Sequence, residues 1–228
     1  MSDERFVHAW LLHLDPAWRR LPRQERGADI DAFCTAWTAA DSRLLQLSYS
    51  TIGLRAEGEM LLWRMADRVE GVEETAAELL SAGIGRWMTP TISMLGMTRP
   101  SQYVKRPTTQ EQSLFSGERS RYLVVYPFVK STEWYLTSAE ERQEVMRGHM
   151  RVGHAYPQVR QLLAYSFGLD DQEFIVAYET DDLVAFQDLV RDLRATESRR
   201  STIRDTPIVT GIHRPLGEIL GLLSGIEQ

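Results

Sequence analysis

Cys34 is the only cysteine in this chain of 228 residues, which excludes an internal disulfide, a thiolate metal cluster and a CxxC redox pair. Long apolar runs are missing as well. None approaches the roughly 20 residues that span a bilayer, and the opening MSDERFVHAW lacks the basic-then-apolar order of an export signal, so a cytoplasmic protein is expected. There is no surplus of positive charge either. Lys and Arg number 26 against 32 Asp and Glu, a net charge of −6, which argues against a general nucleic-acid binder because neutralising phosphates needs a net basic surface. No low-complexity linker divides the chain. What it does have is a hydrophobic fraction of 43%, ample for a real core.

The remaining pattern is one of alternating elements. A helical N-terminal region is expected, with residues 29–40 as a short amphipathic helix. A first pass follows: strands over 44–52 and 59–66, an acidic helix in GVEETAAELLSAG closing at Gly83, and a returning strand over 91–97. The second pass repeats that order. Residues 122–129 are β-branched and aromatic, 138–156 are helical, 161–167 form a strand ending at Gly168, and GLDD turns into a strand over 173–178. A helix from 182 to about 196 and a last strand near 208–209 close the pass. Strands interleaved with helices at this spacing imply an α+β fold with helices packed on antiparallel sheet. Two related halves of this kind can merge their sheets into one β-barrel with the helices outside. The halves are drawn at 1–105 and 122–228, joined by a polar connecting flap over 106–121.

Within the second half, Ser138 followed by Glu141 reads as a capping box, and no proline interrupts until Pro157. Val145, His149, Val152 and Tyr156 recur at helical spacing, so His149 lies in a stripe expected to face the interior. A neutral imidazole there can ligate a metal, or it can be a hydrogen-bonded core histidine; spacing alone leaves both open. Upstream, Tyr126, Trp134 and Tyr135 bracket Lys130 in YPFVKSTEWY. Clustered aromatics pack cores, and phenols and indoles can also each give one electron to an oxidised metal centre. Arg106, Arg119 and Arg121 are candidates for holding anionic groups, or ordinary solvated charges.

YPFVK followed by EWY, then MRGHMRVG, QLLAYSFGLDDQEFIVAYE and DLRATES resemble, in order and spacing, the chlorite dismutase superfamily and especially the branch that decarboxylates coproheme. The similarity is strongest over 122–211. It implies two ferredoxin-like halves, a haem-type macrocycle bound by the C-terminal half, and a homopentamer. His149 then falls at the proximal iron ligand and Gly153, one turn on, where a flat macrocycle approaches the helix. Lys130 and Glu197 match partners of that histidine, where a carboxylate accepting the free imidazole N–H fixes the tautomer. Tyr126 matches the tyrosine that becomes a radical, and Trp134 an aromatic implicated in radical transfer in some members.

Gln161 stands where chlorite dismutases carry a distal arginine. A guanidinium is a permanent cation suited to holding chlorite, whereas an amide offers only neutral hydrogen bonds, so the resemblance favours decarboxylation. The implied reaction is peroxide-dependent decarboxylation of coproheme III to haem b through a tyrosyl radical, with coproheme as both substrate and cofactor and hydrogen peroxide as oxidant. The alternatives are chlorite decomposition to chloride and dioxygen, and haem binding without turnover.

Overall fold

A computed structural model describes residues 4–100 and 119–225. The first element already departs from expectation. FVHAWLLHL is not helical: it is strand β1 (Phe6–Leu14), paired antiparallel on one side with β3 (Met60–Ala66) and on the other with β4 (Met88–Met97). Nearly all of its residues are buried, so both faces are apolar and the two-residue alternation that announces a strand is erased.

Chain contacts divide the protein into two units, one running to Thr98 and taking in the chain from Thr210 onward, the other Arg99–Val209. In the first, an antiparallel sheet runs in the order β4, β1, β3, β2 (Leu45–Ser50) and β9 (Val209–His213). Helix α1 (Arg23–Ala40) starts six residues earlier than the amphipathic pattern, directly after Pro22, and α2 is Val69–Ser81. A C-terminal helix, α6 (Leu216–Ser224), was not anticipated. Its Leu216, Ile219, Leu220 and Leu223 join Trp10, Phe33 and Leu62 in one core, which is why the end of the chain packs with its beginning.

The second unit carries the residues of interest. Its antiparallel strands run in the order β6 (Arg160–Tyr165), β7 (Phe174–Thr180), β5 (Tyr122–Lys130) and β8 (Thr202–Arg204). Gly168 turns the chain between β6 and β7 at φ +71°, a backbone that side-chain-bearing residues rarely adopt. Helices α3 (Thr132–Leu136), α4 (Ala139–His154) and α5 (Leu183–Arg194) follow, with a short 3-10 turn at Glu197–Ser201. The antiparallel sheets and the helices packed on them make this the expected α+β fold.

The capping box of α4 forms as read. Ser138 Oγ accepts from the Glu141 N–H at 3.3 Å, and the Glu141 carboxylate accepts from the Ser138 N–H at 3.3 Å. Since no residue of α4 is buried, its ends contribute unusually much to its stability. Ser138→Ala should lower the unfolding free energy by about 1 kcal/mol, measurable by urea denaturation.

Candidate functional site

Register gathers the candidate side chains of the second unit. Tyr126 on β5 lies opposite Val176 on β7, and Gln161 on β6 lies opposite Tyr178. Residues directly opposite share a face and successive residues alternate, so Tyr126, Phe128, Val176, Tyr178 and Gln161 project to one side. The helices pack on that side: Val152 of α4, Tyr156 just beyond it, and Ala185, Phe186, Leu189 and Leu193 of α5 cluster with Val176 and Tyr178. Tyr156 Oη donates to Asp192 Oδ2 at 2.5 Å and ties the end of α4 to α5. Gln161 thus faces the layer of helices that carries His149.

The His149 stripe is half-buried, not interior as its periodicity suggested. Its Nδ1 is nevertheless shielded from water and has no hydrogen-bond partner among the described residues. Burial, and then the charge of Lys130, push the imidazole down to about 4 from its ordinary 6.5, so it is neutral and its lone pair is free for a metal. Among the described residues no three His, Cys, Asp or Glu side chains gather to hold a bare ion. A single histidine suits a metal that brings its own macrocycle. A Cβ built at Gly148 or Gly153 would meet nothing within 4 Å, so the helix surface beside His149 is open.

The depressed value has a consequence for stability. Between pH 6.5 and about 4 the unfolded chain takes up a proton that folded His149 refuses, so stability falls as the pH drops through that window and is recovered as it rises. The protein should lose on the order of 2 kcal/mol across it. His149→Leu should remove that part of the acid sensitivity, as read by thermal melting at a series of pH values.

Lys130, at the end of β5, is buried, and its Nζ donates to Ser198 O at 2.8 Å, Ser198 Oγ at 2.9 Å and Ser201 Oγ at 3.2 Å. Burial, with the Arg199 guanidinium adding to it, pushes the ammonium down to about 8, against the opposing pull of Glu173. The buried Trp134 ring lies beneath it, 4.4 Å from Nζ to the ring centroid. Glu197 is elsewhere. Its carboxylate pairs with Arg200 at 3.0 Å and its side chain is 63% exposed, so it does not accept from the His149 ring in this structure. Solvation and a neighbouring cation of its own 3-10 turn favour that outward rotamer over the desolvated approach to an imidazole.

Tyr126 keeps its proton. Burial first, then the neighbouring Tyr178 and Asp205 push the phenol far above its ordinary value, while Arg194 opposes them. The two tyrosine rings lie 6.2 Å apart between centroids. A pocket of about 140 Å³ opens beside Tyr126, lined also by Phe186, Val190, Arg194, Asp205 and Ile208.

Of the three anticipated cations, one is committed to an ion pair. Arg119 pairs with Glu179 at 3.7 Å, a fully buried carboxylate that also holds Arg160 at 3.1 Å, and Glu179 lies on the face of β7 opposite to Tyr178. Arg121 is exposed, its guanidinium 6.0 Å from the Tyr122 ring, and Arg106 lies outside the described residues. Arg194, half-exposed and 3.4 Å from Asp205, lines the Tyr126 pocket instead. Neither it, Tyr178 nor the serine pair under Lys130 was singled out from the sequence. Tyr178 alone had a signal, its alternate position within FIVAYET, but its relation to Tyr126 needs the strand pairing.

Comparison with known proteins adds to this arrangement. The chlorite dismutase family model matches residues 23–214. A coproheme decarboxylase of Mycolicibacterium smegmatis is 37% identical over 165 residues, 72% of this chain and 70% of that protein. The structure of the chlorite dismutase from Candidatus Nitrospira defluvii in complex with imidazole superposes with a TM-score of 0.89 at 26% identity, covering 98% of this chain and 97% of that one. A mutant of the same enzyme gives a TM-score of 0.89 over 96% and 95%.

Proposed function

The chain belongs to the chlorite dismutase family, and on that premise we propose that it is a haem-dependent enzyme that decarboxylates coproheme III to haem b with hydrogen peroxide as oxidant. The observation that carries this reading is the shared face of β5, β7 and β6, where the Tyr126 phenol and the neutral Gln161 amide project together toward the helices that bear His149. The 37% identity to a coproheme decarboxylase supports it. The chlorite-decomposing alternative has support from the solved structures, but it needs an anion held near the metal, and the amide of Gln161 supplies no charge for that.

His149 is the residue that would hold the iron, and a bound iron macrocycle supplies the capacity to take up oxidising equivalents from peroxide. The work of the protein lies around it. His149 stays neutral and so remains a ligand across physiological pH. Tyr126, protonated because of its surroundings, gives up its O–H proton together with an electron and so becomes an uncharged radical able to take hydrogen from a propionate side chain. Each turnover takes two electrons and one proton from a propionate, consumes one peroxide and one further proton, and yields carbon dioxide, a vinyl group and two waters. Arg194, which lines the pocket beside Tyr126, would hold a propionate there. A cytoplasmic site of action and a homopentameric assembly are part of the same proposal; among the described residues no helix is long and apolar enough to cross a membrane.

The test is to titrate the coproheme-loaded protein with peroxide and follow product masses, with the haem-loaded protein assayed separately for dioxygen release from chlorite. Two stepwise losses, each of one carbon dioxide and two hydrogens, are expected, with negligible dioxygen. Rapid dioxygen release without those losses would transfer the assignment to chlorite chemistry.

A further inference from the structure

Lys130 and Trp134 form a contact that the ligand role of His149 does not require. Both side chains are buried, at 6% and 7% exposure, and the ammonium nitrogen lies 4.4 Å from the indole centroid and 5.4 Å from that of Phe128. All three of its hydrogens are directed to neutral oxygens, those of Ser198 and Ser201. Among the described residues no carboxylate forms an ion pair with it. The charge is therefore held in position close to the face of an aromatic ring, with Glu173 acting on it but not paired to it.

A cation over an aromatic face is attracted to the electron-rich ring and stabilises it most when both are out of water. Oxidation reverses that attraction. The indole would give one electron to a one-electron oxidant and become a cation radical lying directly under an ammonium, two like charges in a region of low dielectric. A phenol that loses its proton with its electron meets no such penalty, because it ends uncharged. We propose that Lys130 is a positioning residue whose fixed ammonium keeps Trp134 in its reduced form, so that oxidising equivalents reaching this unit settle on the Tyr126 phenol. The destination, Tyr126, rests on the proposed function; the protection of Trp134 does not.

The first arm of the test uses the haem-free protein. A photogenerated carbonate radical, a one-electron oxidant, is applied to the wild type, Lys130→Met and Lys130→Arg, and oxidation at Trp134 is quantified by peptide mass spectrometry against Trp63, which is fully buried and serves as an internal reference. Lys130→Met should raise the Trp134 to Trp63 ratio about tenfold or more, as removal of a desolvated cation from a ring face implies. Lys130→Arg, which keeps the charge and stacks on rings, should restore it to within about twofold of the wild type. Should the methionine variant fold poorly, Lys130→Gln makes the same neutralisation with a polar side chain. An unchanged ratio in the neutral variants, or an equal rise in Lys130→Arg, overturns the proposal, the latter because loosened packing and not charge would then be responsible. In the second arm, coproheme-loaded Lys130→Met treated with peroxide should accumulate oxidised Trp134 while its tyrosyl radical signal falls. Failure of the proposed function shows separately, as the absence of stepwise decarboxylation in the coproheme-loaded wild type, and normal turnover in Tyr126→Phe removes only the radical role of Tyr126.

Discussion

Tyr126→Phe should bind coproheme within about twofold of the wild-type affinity while its decarboxylation rate falls by about a thousandfold or more, the scale on which removal of an essential reacting group acts. The split follows from where the residue sits. Its ring packs in the cluster with Val176, Tyr178 and Phe186, and phenylalanine keeps that packing. What disappears is the O–H, the only part of the side chain that can deliver hydrogen-atom chemistry. Because the substitution keeps the ring and leaves the cluster filled, the melting temperature should shift by no more than a few degrees. Coproheme titration by absorbance reads the binding, and product masses after peroxide read the chemistry. Full turnover by the variant would remove the radical assignment, whereas loss of binding would mean that the hydroxyl holds substrate.

The parts of this site that could be read from the sequence are those encoded locally. The Ser138 and Glu141 pair announces α4, Gly168 marks the turn between β6 and β7, and the aromatic run of β5 needs no partner to be seen as a strand. Where the outcome depends on distant chain, the sequence is silent or misleading. Strand β1 hides because β3 and β4 flank it and both its faces are buried, and α6 because its apolar face finds its partners some two hundred residues upstream. The His149 stripe looked interior, yet a helix with no buried residue has its apolar face only partly covered, as befits a wall that an apolar ligand completes. That Tyr126, Tyr178 and Gln161 share a face follows from pairing register alone, and no periodicity within any one strand reports it.

The role of His149 carries the other large effect. The second unit has two histidines, and His154 lies exposed in the last turn of α4, more than a third of a turn around the helix from His149. No other imidazole of this unit can take over, so His149→Ala should weaken coproheme binding by more than about a hundredfold, beyond the 10–100-fold that loss of a mere ligand-orienting partner brings. The absorbance shift that accompanies coproheme binding to the wild type should be lost. Because alanine leaves a space the size of the ring, added imidazole should enter it and restore the spectrum in a saturable manner. The same substitution removes a buried nitrogen that has no partner, so the haem-free variant should lose less stability than the deletion of a comparable core side chain, and its melting temperature should vary less between pH 6.5 and 4. A variant that binds coproheme with unaltered affinity and spectrum would show that the iron is held by some other group; one that binds weakly but is not rescued by imidazole would show that His149 shapes the pocket without ligating the metal.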